Sequence, residues 1–73
     1  MTKDTYEFSH ARYSVSIDGR HFGTFARVAD VYAYARAALK GGQVMDVERI
    51  EDSGLWLVFT LQMTDRGLHR SDV

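Results

Sequence analysis

The sequence predicts an α+β domain: one antiparallel β-sheet of four or five strands with a single α-helix packed on one face, in the order β-β-α-β-β. Three observations predict it. Two stretches of strand-like alternation meet at an Asp-Gly pair. A stretch with helical spacing follows, and two more strand-like stretches then meet at Asp52-Ser53-Gly54. The core is expected to span about residues 11–63, a size suited to one domain.

From Ala11 to Ile17, Tyr13, Val15 and Ile17 alternate with Ser14 and Ser16, the period of a half-buried strand. Asp18-Gly19 follows, a strong hairpin signal because glycine accepts positive φ without steric cost. A second strand, about His21 to Ala26, returns along the first. A regular two-residue turn places Val15 opposite Phe22 and Tyr13 opposite Thr24, leaving Ser14, Ser16, His21 and Phe25 on the other face.

Between Val28 and Lys40 the period changes. Val28, Val31, Tyr32, Ala35, Ala38 and Leu39 fall on one helical stripe. Asp30 near the start and Lys40 at the end suit the helix dipole, and Gly41-Gly42 offers a left-handed stop. The alanines of this segment let a helix lie close on a sheet.

Gln43 to Glu51 and Leu55 to Met63 read as the last hairpin. A glycine at the third loop position fits a type I turn closed by a glycine bulge. That turn sets Glu51 opposite Leu55, Arg49 opposite Leu57, Val47 opposite Phe59 and Met45 opposite Leu61, on the helix side. The opposite face then pairs Ile50 with Trp56, Glu48 with Val58, Asp46 with Thr60 and Val44 with Gln62. With one helix in the sequence, this second face is expected to be open. Thr64 to Val73 is polar and expected to be a loose tail, and Thr5 to Phe8 is a candidate fifth, edge strand.

Composition narrows the function. The 73 residues carry no cysteine, which removes disulfides and thiolate zinc sites, and His10, His21 and His69 lie too far apart to suggest ligand spacing. No metal or cofactor is expected. The net charge of −1 lacks the basic excess of a phosphate-backbone binder, so direct nucleic-acid binding is disfavoured. No apolar run approaches the roughly 20 residues of a membrane span, and no signal-like segment opens the chain, so the expected compartment is the cytoplasm.

Catalytic motifs are missing: there is no GxSxG elbow, HExxH helix or glycine-rich phosphate loop. Ser16 and His21 meet across the first hairpin, but a small sheet face offers little concavity, and surface polar neighbours are the simpler reading. Asp46, Glu48, Glu51 and Asp52 enclose Arg49 and are split between faces by alternation, as expected of solvated hairpin charges. The leading candidate is an aromatic with aliphatic neighbours on the open face: Trp56 with Ile50 and Val58, Phe25 beside them, and Glu48 and Asp46 at the margin. Such a patch suits a protein partner, a second copy of the chain, or cover by a terminal segment. Base stacking on Phe25 and Trp56 is opposed by the two acids, which lie where phosphates would pass. On the outer helix face, Tyr34, Arg36, Ala37 and Lys40 are either a solvated surface or a contact for an acidic partner or phosphate.

The segment Val47-Glu48-Arg49-Ile50-Glu51-Asp52-Ser53-Gly54-Leu55-Trp56 resembles one family of small phage anti-CRISPR proteins that inhibit the type I-F surveillance complex. Members of that family carry an alanine-containing helix, a strand reading Val-x-Arg-Ile-Glu, a short turn and Gly-Leu-Trp. The matching positions are Val47, Arg49, Ile50, Glu51, Gly54, Leu55 and Trp56, and the order of elements matches as well. The resemblance implies a non-enzymatic inhibitor in the host cytoplasm. Such a protein docks on subunits of a CRISPR–Cas complex and obstructs pairing of guide RNA with target DNA. Two other expectations stand beside it: a structural or regulatory homodimer joined through Trp56 and Ile50, and a small enzyme or accessory subunit acting at Ser16 and His21.

Overall fold

The computed structural model describes residues 11–73. They form strands β1 (Tyr13–Ile17) and β2 (Arg20–Phe25), helix α1 (Val28–Ala38), and strands β3 (Val44–Glu51), β4 (Gly54–Thr64) and β5 (Gly67–Asp72). The five strands make one antiparallel sheet in the order β2-β1-β3-β4-β5. The α+β class is present, and among the described residues there is one helix and the expected succession of elements, with one more strand after β4. The candidate edge strand at Thr5 to Phe8 lies outside the described residues.

Asp18 and Gly19 both take positive φ, 51° and 84°, the mirror-image turn whose twist matches flanking strands. The Asp18 carboxylate also accepts a hydrogen bond from the Val44 backbone N–H at 3.3 Å, tying the turn to the start of β3. Beyond the turn the ladder is not regular. Ile17 pairs with Arg20 and Ser16 with His21, but Val15 then pairs with Gly23 and Tyr13 with Phe25. Phe22 is the extra residue of a bulge. It stands 47% exposed, with the Arg20 guanidinium 5.7 Å from its ring centre. The expected pairs Val15–Phe22 and Tyr13–Thr24 are therefore corrected. Phe25 moves to the helix side, where its ring meets Tyr34 at 5.4 Å.

Helix α1 runs from one edge strand, β2, to the central β3 and crosses β1 on the way. It is shorter than the Val28–Lys40 stripe suggested. Leu39 already has extended dihedrals, φ −81° and ψ 125°, while its N–H still bonds the Ala35 carbonyl. This lets Leu39 turn inward, 5% exposed, beneath the helix end. Gly42, at φ 87°, shapes the following turn instead of stopping the helix itself. Val31 and Ala35 sit fully buried and meet the sheet side formed by Val15, Ile17, Met45, Val47, Phe59 and Leu61. Tyr32 stands edge-on to Phe59 at 6.2 Å, the arrangement ring quadrupoles favour.

The segment expected to be a loose tail contains β5, paired with β4 from Thr64↔Gly67 to Phe59↔Asp72. Alternation places Leu68, Arg70 and Asp72 on the helix side, opposite Met63, Leu61 and Phe59. Arg70 does there what an aliphatic side chain ordinarily does. Its guanidinium lies 3.9 Å from the Phe59 ring centre, donates to the Tyr32 hydroxyl at 3.0 Å and to Asp72 at 2.7 Å. These hydrogen bonds, to Tyr32 first and Asp72 second, raise its pKa above the ordinary arginine value.

Candidate functional site: an overhanging apolar hairpin

The second hairpin keeps its expected register only at the end near the core. Val44↔Gln62, Met45↔Leu61, Asp46↔Thr60 and Val47↔Phe59 pair as the hydrophobic pattern requires. The ladder then slips: Glu48 pairs with Leu57, Arg49 with Trp56, Ile50 with Leu55 and Glu51 with Gly54. The extra residue is Val58, in mid-strand, and the turn is Asp52-Ser53 alone. The glycine bulge expected at the turn has in effect moved along β4, where Val58 uses it to pack against the core margin.

A slip of one residue exchanges faces. Trp56 now shares a side with Arg49, which itself lies opposite Tyr13 on the helix side. The expected partnerships Ile50–Trp56 and Glu48–Val58 are thus replaced. Ile50 with Leu55, and Glu48 with Leu57, occupy the open side.

Trp56 is nevertheless not covered by the helix. Eleven residues of strand reach roughly 36 Å, whereas an eleven-residue helix spans about 16 Å, and β4 and α1 have those lengths. The distal part of β4 overhangs. It also overhangs its neighbour, because β5 pairs with β4 only from Phe59 onward. Leu55, Trp56 and Leu57 remain 52%, 54% and 42% exposed. The indole N–H donates to the Ser53 hydroxyl at 3.1 Å, which orients the ring over the turn, and Arg49 pairs with Glu51 at 3.3 Å on the same side.

The remaining candidates scatter. Val58 and Phe25 have left the open face for the core margin, and Tyr34 is half-buried against Phe25 instead of pointing outward. Arg36 is exposed with its guanidinium 5.8 Å from the Tyr32 ring centre. Lys40 is exposed beyond the helix end, where its backbone N–H donates to the Gln43 side chain at 2.9 Å. Asp46 and Glu48 lie half-buried on the face away from the helix, opposite Ser16 and Ser14 of β1. Ser14 is itself 4% exposed, so over β1 this face is not the bare surface expected, and it opens only toward the hairpin tip. Sequence reasoning missed Leu55 and Leu57 as site residues. The signal was available: three consecutive large apolar residues cannot all turn inward from one strand, and such a run when exposed points to function.

Ser16 and His21 do lie opposite one another, with Asp46 on the other side of Ser16. The serine is therefore between histidine and aspartate, whereas nucleophile activation needs the base between the other two. Among the described residues, no group of three or more His, Cys, Asp or Glu side chains could hold a metal ion, and no helix is long and apolar enough to cross a membrane. No protein family, characterised protein or solved structure matches the chain.

Proposed function

We propose that this chain is a non-enzymatic protein-binding module that docks through the tip of its β3–β4 hairpin, and that it serves as an inhibitor of a CRISPR–Cas surveillance complex of the type I-F class. The observation that carries the docking reading is the run Leu55-Trp56-Leu57, each residue about half exposed on a strand that outreaches both the helix and β5. Aromatic anchors with aliphatic neighbours dominate protein interfaces. The target comes from the resemblance of residues 47–56 to small phage anti-CRISPR proteins, and those same residues build the hairpin tip. The inhibitor acts by occupying subunits along which guide RNA and target DNA pair.

The test mixes the chain with a purified type I-F surveillance complex and reads co-elution by size exclusion and target-DNA binding by gel shift. Co-elution with loss of the shifted DNA is expected, and Trp56→Lys should abolish both. Unimpaired DNA binding at saturating protein would overturn the CRISPR assignment. A second reading, a homodimer, is favoured by the same exposed apolar run. A sedimentation-derived dimer that Trp56→Asp converts to monomer would establish it.

A further inference from the structure

Resting on the docking reading, we propose that the hairpin tip binds by strand addition. An extended partner segment, apolar at its centre and basic at its flanks, pairs its backbone with the free edge of β4 at residues 54–57.

The backbone supplies the first argument. β5 occupies this edge of β4 from Phe59 to Thr64, and the Val73 N–H donates to the Val58 carbonyl at 3.2 Å. Among the described residues, no strand pairs with the edge beyond that point. An incoming strand would continue the line of β5, and main-chain bonding of this kind is a recurrent mode of peptide recognition.

The side chains say why a strand fits better than a flat surface. Leu55 and Leu57 lie on the open side, and Trp56 on the other. A partner resting on either face reaches only part of the run. A strand laid along the edge reaches both sides at once.

Edge protection supplies a third argument. Sheet edges are ordinarily guarded by charge. Edge strand β2 carries Arg20 and His21, and β5 carries His69, Arg70 and Asp72. β4, reading GLWLVFTLQMT, has no charged residue along its whole length.

Charge around the tip selects the partner. Glu48 lies opposite Leu57, and Asp52 is in the turn. Among the described residues neither is in an ion pair, whereas Arg49 is engaged by Glu51 and Asp72 by Arg70. The unpaired charges nearest the edge, Glu48 on β3 and Asp52 in the turn, are therefore negative and favour lysine or arginine at the ends of the added strand. Arg12, also unpaired among the described residues, lies one strand farther away, across from Ile50. The two acids disfavour a second copy, which brings the same charges. Self-pairing centred on Trp56 would also set the Asp52-Ser53 turn of each copy beside Thr60 and Phe59 of the other, where Ser71 and Asp72 already lie.

The experiment titrates the full chain with the synthetic peptide Lys-Thr-Val-Ile-Val-Thr-Lys and follows the fluorescence of Trp56, the one tryptophan. A saturable blue shift is expected, with amide exchange slowed at residues 54–57. Replacing the terminal lysines by glutamates should weaken binding about tenfold, from several screened charge contacts. N-methylating the internal amides, which keeps the side chains but removes the donors, should abolish binding. Equal binding of the N-methylated peptide would overturn strand addition. So would no peptide binding alongside retained, Trp56-dependent docking on the surveillance complex, which leaves the broader docking reading intact. A peptide-free dimer dissolved by Leu57→Lys would assign the edge to a second copy and overturn the proposal as well.

Discussion

The two large aromatics of β4 show how position decides the work a residue does. Phe59 is 2% exposed, flanked by Tyr32 and by the Arg70 guanidinium. Trp56, three residues earlier, is 54% exposed, and its side chain has one hydrogen bond, to Ser53. Phe59→Ala should cost about 3–5 kcal/mol, because it removes buried area and leaves a cavity. A domain of this size holds only about 4–11 kcal/mol in total, so that variant should lose from about a quarter to all of its stability. Trp56→Thr should cost about 1 kcal/mol or less, as for an exposed position with a β-compatible replacement. Urea denaturation followed by circular dichroism measures both, and similar costs for the two would contradict the placement of Trp56 outside the core. Arg70 adds a pH-insensitive link between β5 and the helix. A pKa raised on folding gives stability below the unfolded value that is lost as pH rises through the folded one. Both values lie in strong alkali for arginine, so this contribution is constant through the neutral range.

At the scale of elements, legibility in the sequence followed whether a pattern was apolar and regular. The helix stripe and the pairs Met45–Leu61 and Val47–Phe59 were readable because buried apolar residues must share a face. The two bulges were not, since each adds one residue where the hydrophobic pattern tolerates either phase. Gly23 was a hint for the first, as strand glycines often mark bulges. In the second, Gly54 drew the extra residue to the turn, where a glycine bulge is common, and Val58 gave no opposing signal. β5 was hidden for a chemical reason: its inward positions include Arg70 and Asp72, so a cation over an aromatic ring stands where alternation looks for an aliphatic side chain. The β3–β4 register is directly checkable by NMR. Cross-strand contacts should join Arg49 to Trp56 and Ile50 to Leu55, and deleting Val58 should preserve them, since its removal leaves an uninterrupted ladder. Contacts joining Ile50 to Trp56 instead would put the bulge back at the turn.

For the molecule as a whole, the decisive quantity is the mismatch between a long hairpin and a short helix. The core closes over the near half of the sheet, where α1, β1 and the near halves of β3 and β4 supply every fully buried side chain among the described residues. The far half of the hairpin gains no such burial, yet it carries Leu55, Trp56 and Leu57 beside an unguarded edge. Nothing in the folding of the domain requires large apolar residues there, and an exposed uncharged edge carries an aggregation cost. Stability and docking should therefore separate cleanly under mutation. Leu57→Lys places a charge on the edge, opposite Glu48, where an ion pair on the sheet surface compensates part of the lost contact. The variant should unfold within about 0.5 kcal/mol of the parent, as surface substitutions usually do. It should also stay soluble to higher concentration and lose partner binding by about tenfold or more, the scale of one interface residue worth over 1 kcal/mol. Light scattering against concentration, with denaturation and binding run on the same preparation, reads all three. A variant that loses stability in step with binding would mean that the tip belongs to the core after all, and the overhang would then have a structural purpose in place of a recognition one.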